Sequence, residues 1–403
     1  MVALADVRRA RERISDQIRV TPCPPTEQFR DIFPGVLHLK RENEQFTGSF
    51  KVRGALNRIL QLSEDERARG VVAASAGNHG QAVALHAGRM GAPATVVMPR
   101  TTPLVKIANT ERLGARVELV GESFHEARER ADELARTEGL TFIHAFDDEH
   151  VIAGQGTVGL EILEAVPQVD LVLVPVGGGG LVSGVAVALK ASDPSIRVIG
   201  VEAAAAAGAR ASLDAGHPVE LSSVDTIADG IAVKRVGEKT LPLIRKWVEK
   251  VVTVSEDAIA QAVLLLLERE KTVVEGAGAV ALAALLEGRV SCGPGDVGVA
   301  LLSGGNTDVN MISRIIHRGL VRDGRLVGLV ATVRDRPGAL ARLTALVAET
   351  GANVLETYHQ RAFADISVGD VEIVLHLETR GAGHAQEILD HLRENGIRTR
   401  RAD

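Results

Sequence analysis

The chain has 403 residues, 45% hydrophobic and 24% charged, with a formal net charge of −6, a balance ordinary for a soluble globular protein of two or three domains. A negative charge without a long basic run speaks against a nucleic-acid surface, and no apolar stretch reaches the ~18–20 residues of a membrane span. Residues 1–20 carry no secretory h-region and Cys23 and Cys292 have no metal-type spacing, so a reducing, cytoplasmic setting without a bound metal is expected.

Residues 1–20 alternate charged and small apolar groups, as an exposed amphipathic helix does. From about residue 35 to 320, short β-rich runs alternate with longer helical patterns. The expected strands are Val36–Lys40, Val71–Ser75, Ala94–Met98, Arg116–Val120, Asp170–Val176, Arg197–Glu202, Val251–Val254 and Val297–Ser303. Helices Thr102–Leu113, Glu122–Thr137 and Asp257–Arg269 fall between them. Such alternation predicts βαβ units and mostly parallel sheet, an α/β fold. The rhythm changes after Val321-Arg322-Asp323-Gly324. Strand 326–333, helix Pro337–Thr350, strands Asn353–Tyr358 and Val371–Leu377, helix Ala385–Asn395 and a last strand to Arg400 make a ferredoxin-like βαββαβ module.

Lys51 is the most informative residue. Ser49 reads as an N-cap, and Val52, Ala55, Leu56, Ile59 and Leu60 give helical spacing, so the lysine lies in a first turn. There its ammonium faces the positive end of the helix dipole, a term of only ~0.3–1 kcal/mol. Burial or conversion to an imine would alter it more; a solvated lysine beside Arg53 is the plain alternative.

Four further signals follow predicted strands: Ser75-Ala76-Gly77-Asn78-His79-Gly80-Gln81, Gly177–Gly180, Glu202, and Ser303-Gly304-Gly305-Asn306. In open parallel sheets ligands bind beyond the carboxyl ends of the strands. Four glycines at a strand-to-helix entry aim backbone N–H groups at an anion suited to phosphate. The dinucleotide pattern G-x-G-x-x-G/A fails, since its last position is Val182 or Ser183. A dinucleotide oxidoreductase stays as the alternative. Asn78 can donate to a phenolate-type oxygen while neighbouring N–H groups hold a carboxylate; His79 reads as structural. With aromatics at 2%, and Trp247 and Tyr358 the sole Trp and Tyr, stacking platforms are scarce.

Together these residues resemble the fold-type-II pyridoxal-phosphate enzymes, specifically the threonine/serine dehydratase (threonine ammonia-lyase) family. The matching pieces are Ser49–Ala55, Ser75–Gln81, Gly177–Leu181, Thr226-Ile227-Ala228-Asp229-Gly230-Ile231-Ala232 and Ser303–Asn306. The resemblance implies a tryptophan-synthase-β-like catalytic domain over residues 1–320, made of two open parallel-sheet subdomains. The smaller, roughly 48–150, is inserted in the larger. Residues 326–403 resemble an ACT regulatory domain, with turns Asp335-Arg336-Pro337-Gly338 and Gly351-Ala352-Asn353-Val354.

The resemblance further implies that Lys51 forms an imine with pyridoxal 5′-phosphate and acts as the catalytic base. Phe50 would pack beside the ring and Asn78 would bind its 3′-oxygen. Gly177, Gly178, Gly179, Gly180 and Leu181 would cradle the phosphate, and Ser303 would meet the ring nitrogen. The substrate carboxylate would lie on Ser75, Ala76, Gly77, Asn78 and His79. The implied reaction is β-elimination of water from L-threonine, and from L-serine, giving 2-oxobutyrate or pyruvate and ammonia: a carbon–nitrogen lyase.

Racemases of the family carry a second serine where this chain has Ala76, and their cation site, of the type Glu202, Ala206 and a following acid, meets Gly208 here. Both departures favour a dehydratase without a metal there. Glu275 is followed by Gly276 where relatives commonly have proline, and its role is open. Implied partners are an amino-acid substrate and a small effector at the ACT module, in a homo-oligomer (tetramer or dimer), with neither nucleic acid nor membrane. The effector's identity, isoleucine, valine or a nucleotide, is open, as is a biosynthetic or catabolic role. A β-replacement enzyme and a non-catalytic amino-acid sensor are the competing readings.

Overall fold

Runs rich in Val, Leu and Ile form the strands, and Val71–Ala74, Leu171–Pro175 and all but the first residue of Arg197–Ala203 are buried on both faces, as the interior of a parallel sheet requires. In chain order they are β1 (Pro25–Thr26), β2 (Val36–Arg41), β3 (Val71–Ala74), β4 (Ala94–Met98), β5 (Arg116–Leu119), β6 (Thr141–Phe142), β7 (Leu171–Pro175), β8 (Arg197–Ala203), β9 (Lys250–Val254), β10 (Val297–Leu302), β11 (Leu326–Arg334), β12 (Asn353–Gln360), β13 (Asp370–Glu378) and β14 (Arg398–Arg401). The computed structural model describes residues 1–361 and 366–402. It divides into the units Met1–Thr307 and Asp308–Asp403, so the helix Val309–Arg322 goes with the second unit, ahead of the break expected near residue 321.

The first unit holds two sheets, ordered β1-β2-β10-β7-β8-β9 and β5-β4-β3-β6. Every neighbouring pair is parallel except the short β1 against β2. All strands of the smaller sheet lie between β2 and β7 in the chain, which makes that subdomain an insertion. Val172, Val174, Val176, Val299 and Leu301 pack with Val182 and Val185 of the helix Gly180–Ser192 and with Val158 and Ile162 of the helix Glu149–Ala165. Each such side chain contributes roughly 1.5–3 kcal/mol on burial. The carboxyl ends of β7 and β10 therefore emerge from a rigid layer. Among the described residues no helix is long and apolar enough to cross a membrane.

Element ends differ from expectation where prolines and glycines intervene. The helix expected from Thr102 starts at Leu104, because residues before Pro103 are held out of helical conformation. The helix expected from Pro337 starts at Ala339, after Gly338 at φ +89°. The two-residue strands β1 and β6 were not expected; they are too short to carry periodicity.

The second unit runs β-α-β-β-α-β after its leading helix. Its antiparallel sheet is ordered β12-β13-β11-β14, with helices Ala339–Glu349 and Ala382–Glu394. β13 alternates strictly: Val371, Ile373, Leu375 and Leu377 face a core shared with Leu343, Val347, Ile388 and Leu392.

Candidate active site

Lys51 opens the helix Lys51–Ile59. The N-cap is Phe50, not Ser49 as expected: tertiary pairing overrides the local capping preference. Ser49 forms a bridge with Gly304, the Phe50 amide donates to the Ser303 carbonyl (3.1 Å), and the Gly305 amide donates to the Gly48 carbonyl (2.8 Å). The lysine segment is thereby stitched to the turn that follows β10. Ser49 is fully buried, and among the described residues its hydroxyl has no hydrogen-bond partner.

The Lys51 amine is no solvated surface group. It donates to the Ala145 carbonyl (3.0 Å) and lies 5.1 Å from the Phe50 ring centroid. Burial brings its pKa down to about 8, against the upward pull of the Glu275 carboxyl. Near neutrality a useful fraction is therefore a free base.

At the end of β3, the Ser75 hydroxyl accepts from the Gly77 amide (3.2 Å), and Asn78 begins the helix Asn78–Arg89. Ser75, Ala76, Gly77 and Asn78 are partly exposed, whereas His79 is buried. His79 Nε2 donates to the Ile143 carbonyl (2.8 Å), and burial, aided by the Lys51 charge, drops its pKa to about 3. It is a neutral anchor.

Asn78 Nδ2 donates to Glu275 Oε1 (2.7 Å), and Asn78 Oδ1 accepts from Asn306 Nδ2 (2.7 Å). Glu275 is 3% exposed. Burial, then repulsion by Asp229, raises its carboxyl to about 8, with Lys106 and Lys51 acting the other way. A Cβ on Gly304 would meet Glu275 Oε1 at 2.3 Å, so only glycine lets the acid sit there.

The tetraglycine turn joins β7 to the helix Gly180–Ser192, with Gly179 in the left-handed region at φ +92°. Its amides lie at that helix's positive end. The turn is crowded by Phe146, whose ring would lie 2.3 Å from a Cβ on Gly178. Because the Ala145 carbonyl also receives the Lys51 proton, the segment 144–147 ties the amine to the glycine turn. The Leu181 side chain points into the core, so only its backbone is available to a ligand. Ser303 is 2% exposed, and its hydroxyl makes one long contact, to the Ala277 carbonyl (3.4 Å).

Phe146 lay outside the residues singled out; Glu275 had its role left open, and Asn306 belonged to the Ser303–Asn306 signal without a role of its own. Phe146 had one sequence signal, an aromatic in a polar loop of an aromatic-poor chain. Arg53, two residues after Lys51, is fully buried, a placement for which no expectation was drawn. It bonds Glu42 (2.8 Å) and Glu161 (2.6 Å), and Glu161 also takes the Lys40 ammonium. Glu202 accepts from the Ala209 (2.7 Å) and Arg210 (2.9 Å) amides, capping the helix Gly208–Ala215.

These groups fit pyridoxal phosphate: a glycine cradle at a helix N-terminus for its anion, a half-buried amine for its aldehyde and an oriented amide for its phenolic oxygen. The family model "Pyridoxal-phosphate dependent enzyme" matches residues 14–304. An L-threonine ammonia-lyase of Thermotoga maritima is 49% identical over 388 residues, 96% of each chain. The processed form of threonine deaminase isoform 2 from Solanum lycopersicum superposes with TM-score 0.73 at 38% identity, covering 78% of this chain and 86% of that one. Maize serine racemase superposes with TM-score 0.74 at 36% identity, covering 80% of this chain and 98% of its own. With a model match across most of its first unit, this chain belongs to the family of pyridoxal-phosphate dependent enzymes.

Proposed function

We propose that this protein is an L-threonine ammonia-lyase that also takes L-serine, releasing 2-oxobutyrate or pyruvate together with ammonia. The observation that carries the reading is the Lys51 amine, held at the Ala145 carbonyl beside the segment that packs on the tetraglycine turn. The near-full-length likeness to a threonine ammonia-lyase supports it.

Bound there, pyridoxal phosphate would take up the electron pair left on the substrate's Cα as its proton leaves and give it back to form the Cα–Cβ double bond as hydroxide departs from Cβ. The amides of Gly177–Gly180 and Leu181 would hold the phosphate, Phe50 would flank the ring and Asn78 would donate to the phenolic oxygen. Amides of Ser75–His79 would bind the substrate carboxylate and fix its orientation. Lys51 would take the Cα proton at Nζ, a task suited to an amine whose pKa is about 8. Ser303, a neutral hydroxyl, would face the ring nitrogen without holding it protonated as a carboxylate would. Ala76 offers no proton on the opposite face, so elimination is favoured over racemisation.

The second unit supplies regulation in this proposal, as an ACT-type module over residues 326–403 binding a small effector between paired copies of a homo-oligomer. The catalytic part spans residues 1–320, and the setting is cytoplasmic. The test is purified protein with pyridoxal phosphate and L-threonine, with 2-oxobutyrate and D-threonine both measured. Formation of 2-oxobutyrate without D-threonine is expected, and Lys51→Ala should abolish both turnover and the visible absorbance of the bound cofactor. Absence of 2-oxobutyrate, or full absorbance in the variant, would refute the assignment. Rates with isoleucine, valine or AMP added test the regulatory part.

A further inference from the structure

We propose that Asn306 and Glu275 are positioning residues that orient the Asn78 amide, so that one N–H of Asn78 is always presented to the cofactor's phenolic oxygen. The inference rests on the placement of Asn78 proposed above and names what enforces it.

An asparagine amide can turn over and exchange its oxygen for its NH2 group, so a single asparagine beside a phenolic oxygen presents either a donor or an acceptor. Here the choice is dictated from a distance. Asn306 Nδ2 donates both of its protons, one to the Thr47 carbonyl and one to Asn78 Oδ1. A backbone carbonyl can only accept, so Asn306 is bound to present its NH2 group. Asn78 must then meet it with oxygen. The Asn78 nitrogen faces the other way, where Glu275 Oε1 accepts one proton at 2.7 Å. The second N–H has no partner among the described residues.

Glu275 is confined as well. Gly304 and Gly230 lie against its carboxyl, within 2.3 and 3.3 Å of where their Cβ atoms would be, and its own amide donates to the Gly304 carbonyl (3.1 Å). The charged groups felt at this carboxyl are Asp229, Lys106 and Lys51. Its raised pKa keeps it neutral near pH 7, so it accepts from Asn78 without adding a negative charge beside the phenolic oxygen.

The experiment compares the full-length holoenzyme with variants by two readouts, the pH midpoint of the bound cofactor's visible absorbance and the dissociation constant of pyridoxal phosphate. Asn78→Ala removes the donor itself. Asn306→Asp is nearly isosteric but cannot donate, so it turns the Asn78 amide over; Asn306→Ala frees it, and decides the matter if the aspartate variant does not fold. An oxygen that loses a donor holds its proton more tightly. The midpoint should rise by about half to one pH unit and binding weaken roughly three- to tenfold in all three, the scale of one hydrogen bond. Glu275→Gln keeps an acceptor and should stay within about twofold of wild type, whereas Glu275→Leu should resemble Asn306→Ala. Wild-type values in both Asn306 variants, with Asn78→Ala shifted, would overturn the relay and leave the Asn78 contact standing. Wild-type values in Asn78→Ala would overturn both.

Discussion

A methyl group at position 178 has nowhere to go. It would lie 2.3–2.4 Å from three atoms of the Phe146 ring, and Phe146 is followed by Asp147, whose carboxylate accepts from the Glu238 and Lys239 amides. The ring cannot withdraw without loosening that contact. Overpacking of this kind costs typically 1–3 kcal/mol, and here it falls on a turn proposed to bind phosphate. Gly178→Ala should weaken pyridoxal phosphate binding about tenfold or more, as read by cofactor titration. Adding Phe146→Ala should recover part of the loss, because it removes the obstacle; a double variant no better than the single one would mean that the methyl group acts elsewhere.

The helix Lys51–Ile59 is held by charge as well as by apolar contact. Arg53 and Lys40 face Glu42 and Glu161 with no exposure, and Thr21 completes the cluster through the Glu42 carboxyl (2.5 Å) and the Lys40 ammonium (2.8 Å). Removing one member strands its partners as buried charges, at a cost of about 3–5 kcal/mol. Arg53→Met should lower unfolding stability by that amount in denaturant titration. Arg53→Lys should fall well short of rescue, since an ammonium cannot reproduce the fork that serves two carboxylates. None of this cluster was legible beforehand: Arg53 and Glu161 are 108 positions apart, and each looks like an ordinary charged helix residue. What the residue order reveals well is local. Ala94–Met98 has the expected bounds, and the turns after β3, β7 and β10 are visible because strand, glycine and helix signals are adjacent. Ser49 misled for the complementary reason: its capping preference is local, but its pairing with Gly304 is not. Asn78 and Glu275 lie 197 positions apart, so a partner that only the folded chain brings within 2.7 Å leaves no periodic trace.

Across the first unit, buried titratable groups set how stability depends on pH. His79 and His86 are held down to about 3 and His144 to about 4, in each case chiefly by burial. A base with a depressed folded pKa contributes stability that is present above its unfolded value, near 6.5, and is lost as the pH falls below it. Glu275 and Glu202, raised to about 8 and about 7 by burial, have the opposite sign: their contribution is complete below about 4.5 and is lost as the pH rises toward those values. Between about 4.5 and 6.5 three histidines oppose two acids, so stability still climbs with pH; above 6.5 only the acids titrate, and it declines. These groups therefore place the stability maximum of the cofactor-free chain near pH 6.5. His86 offers a clean test, because it is fully buried and neither ring nitrogen has a partner among the described residues. Replacing it by leucine removes one histidine from the balance and sacrifices no hydrogen bond. Urea midpoints followed by fluorescence of Trp247, the sole tryptophan and part of the same unit, should show His86→Leu at least as stable as wild type at pH 7. Its midpoints should run nearly flat from pH 4.5 to 6.5 where the wild type still climbs, since two histidines now offset two acids. An acid limb as steep as the wild type's would show that His86 takes up its proton without unfolding.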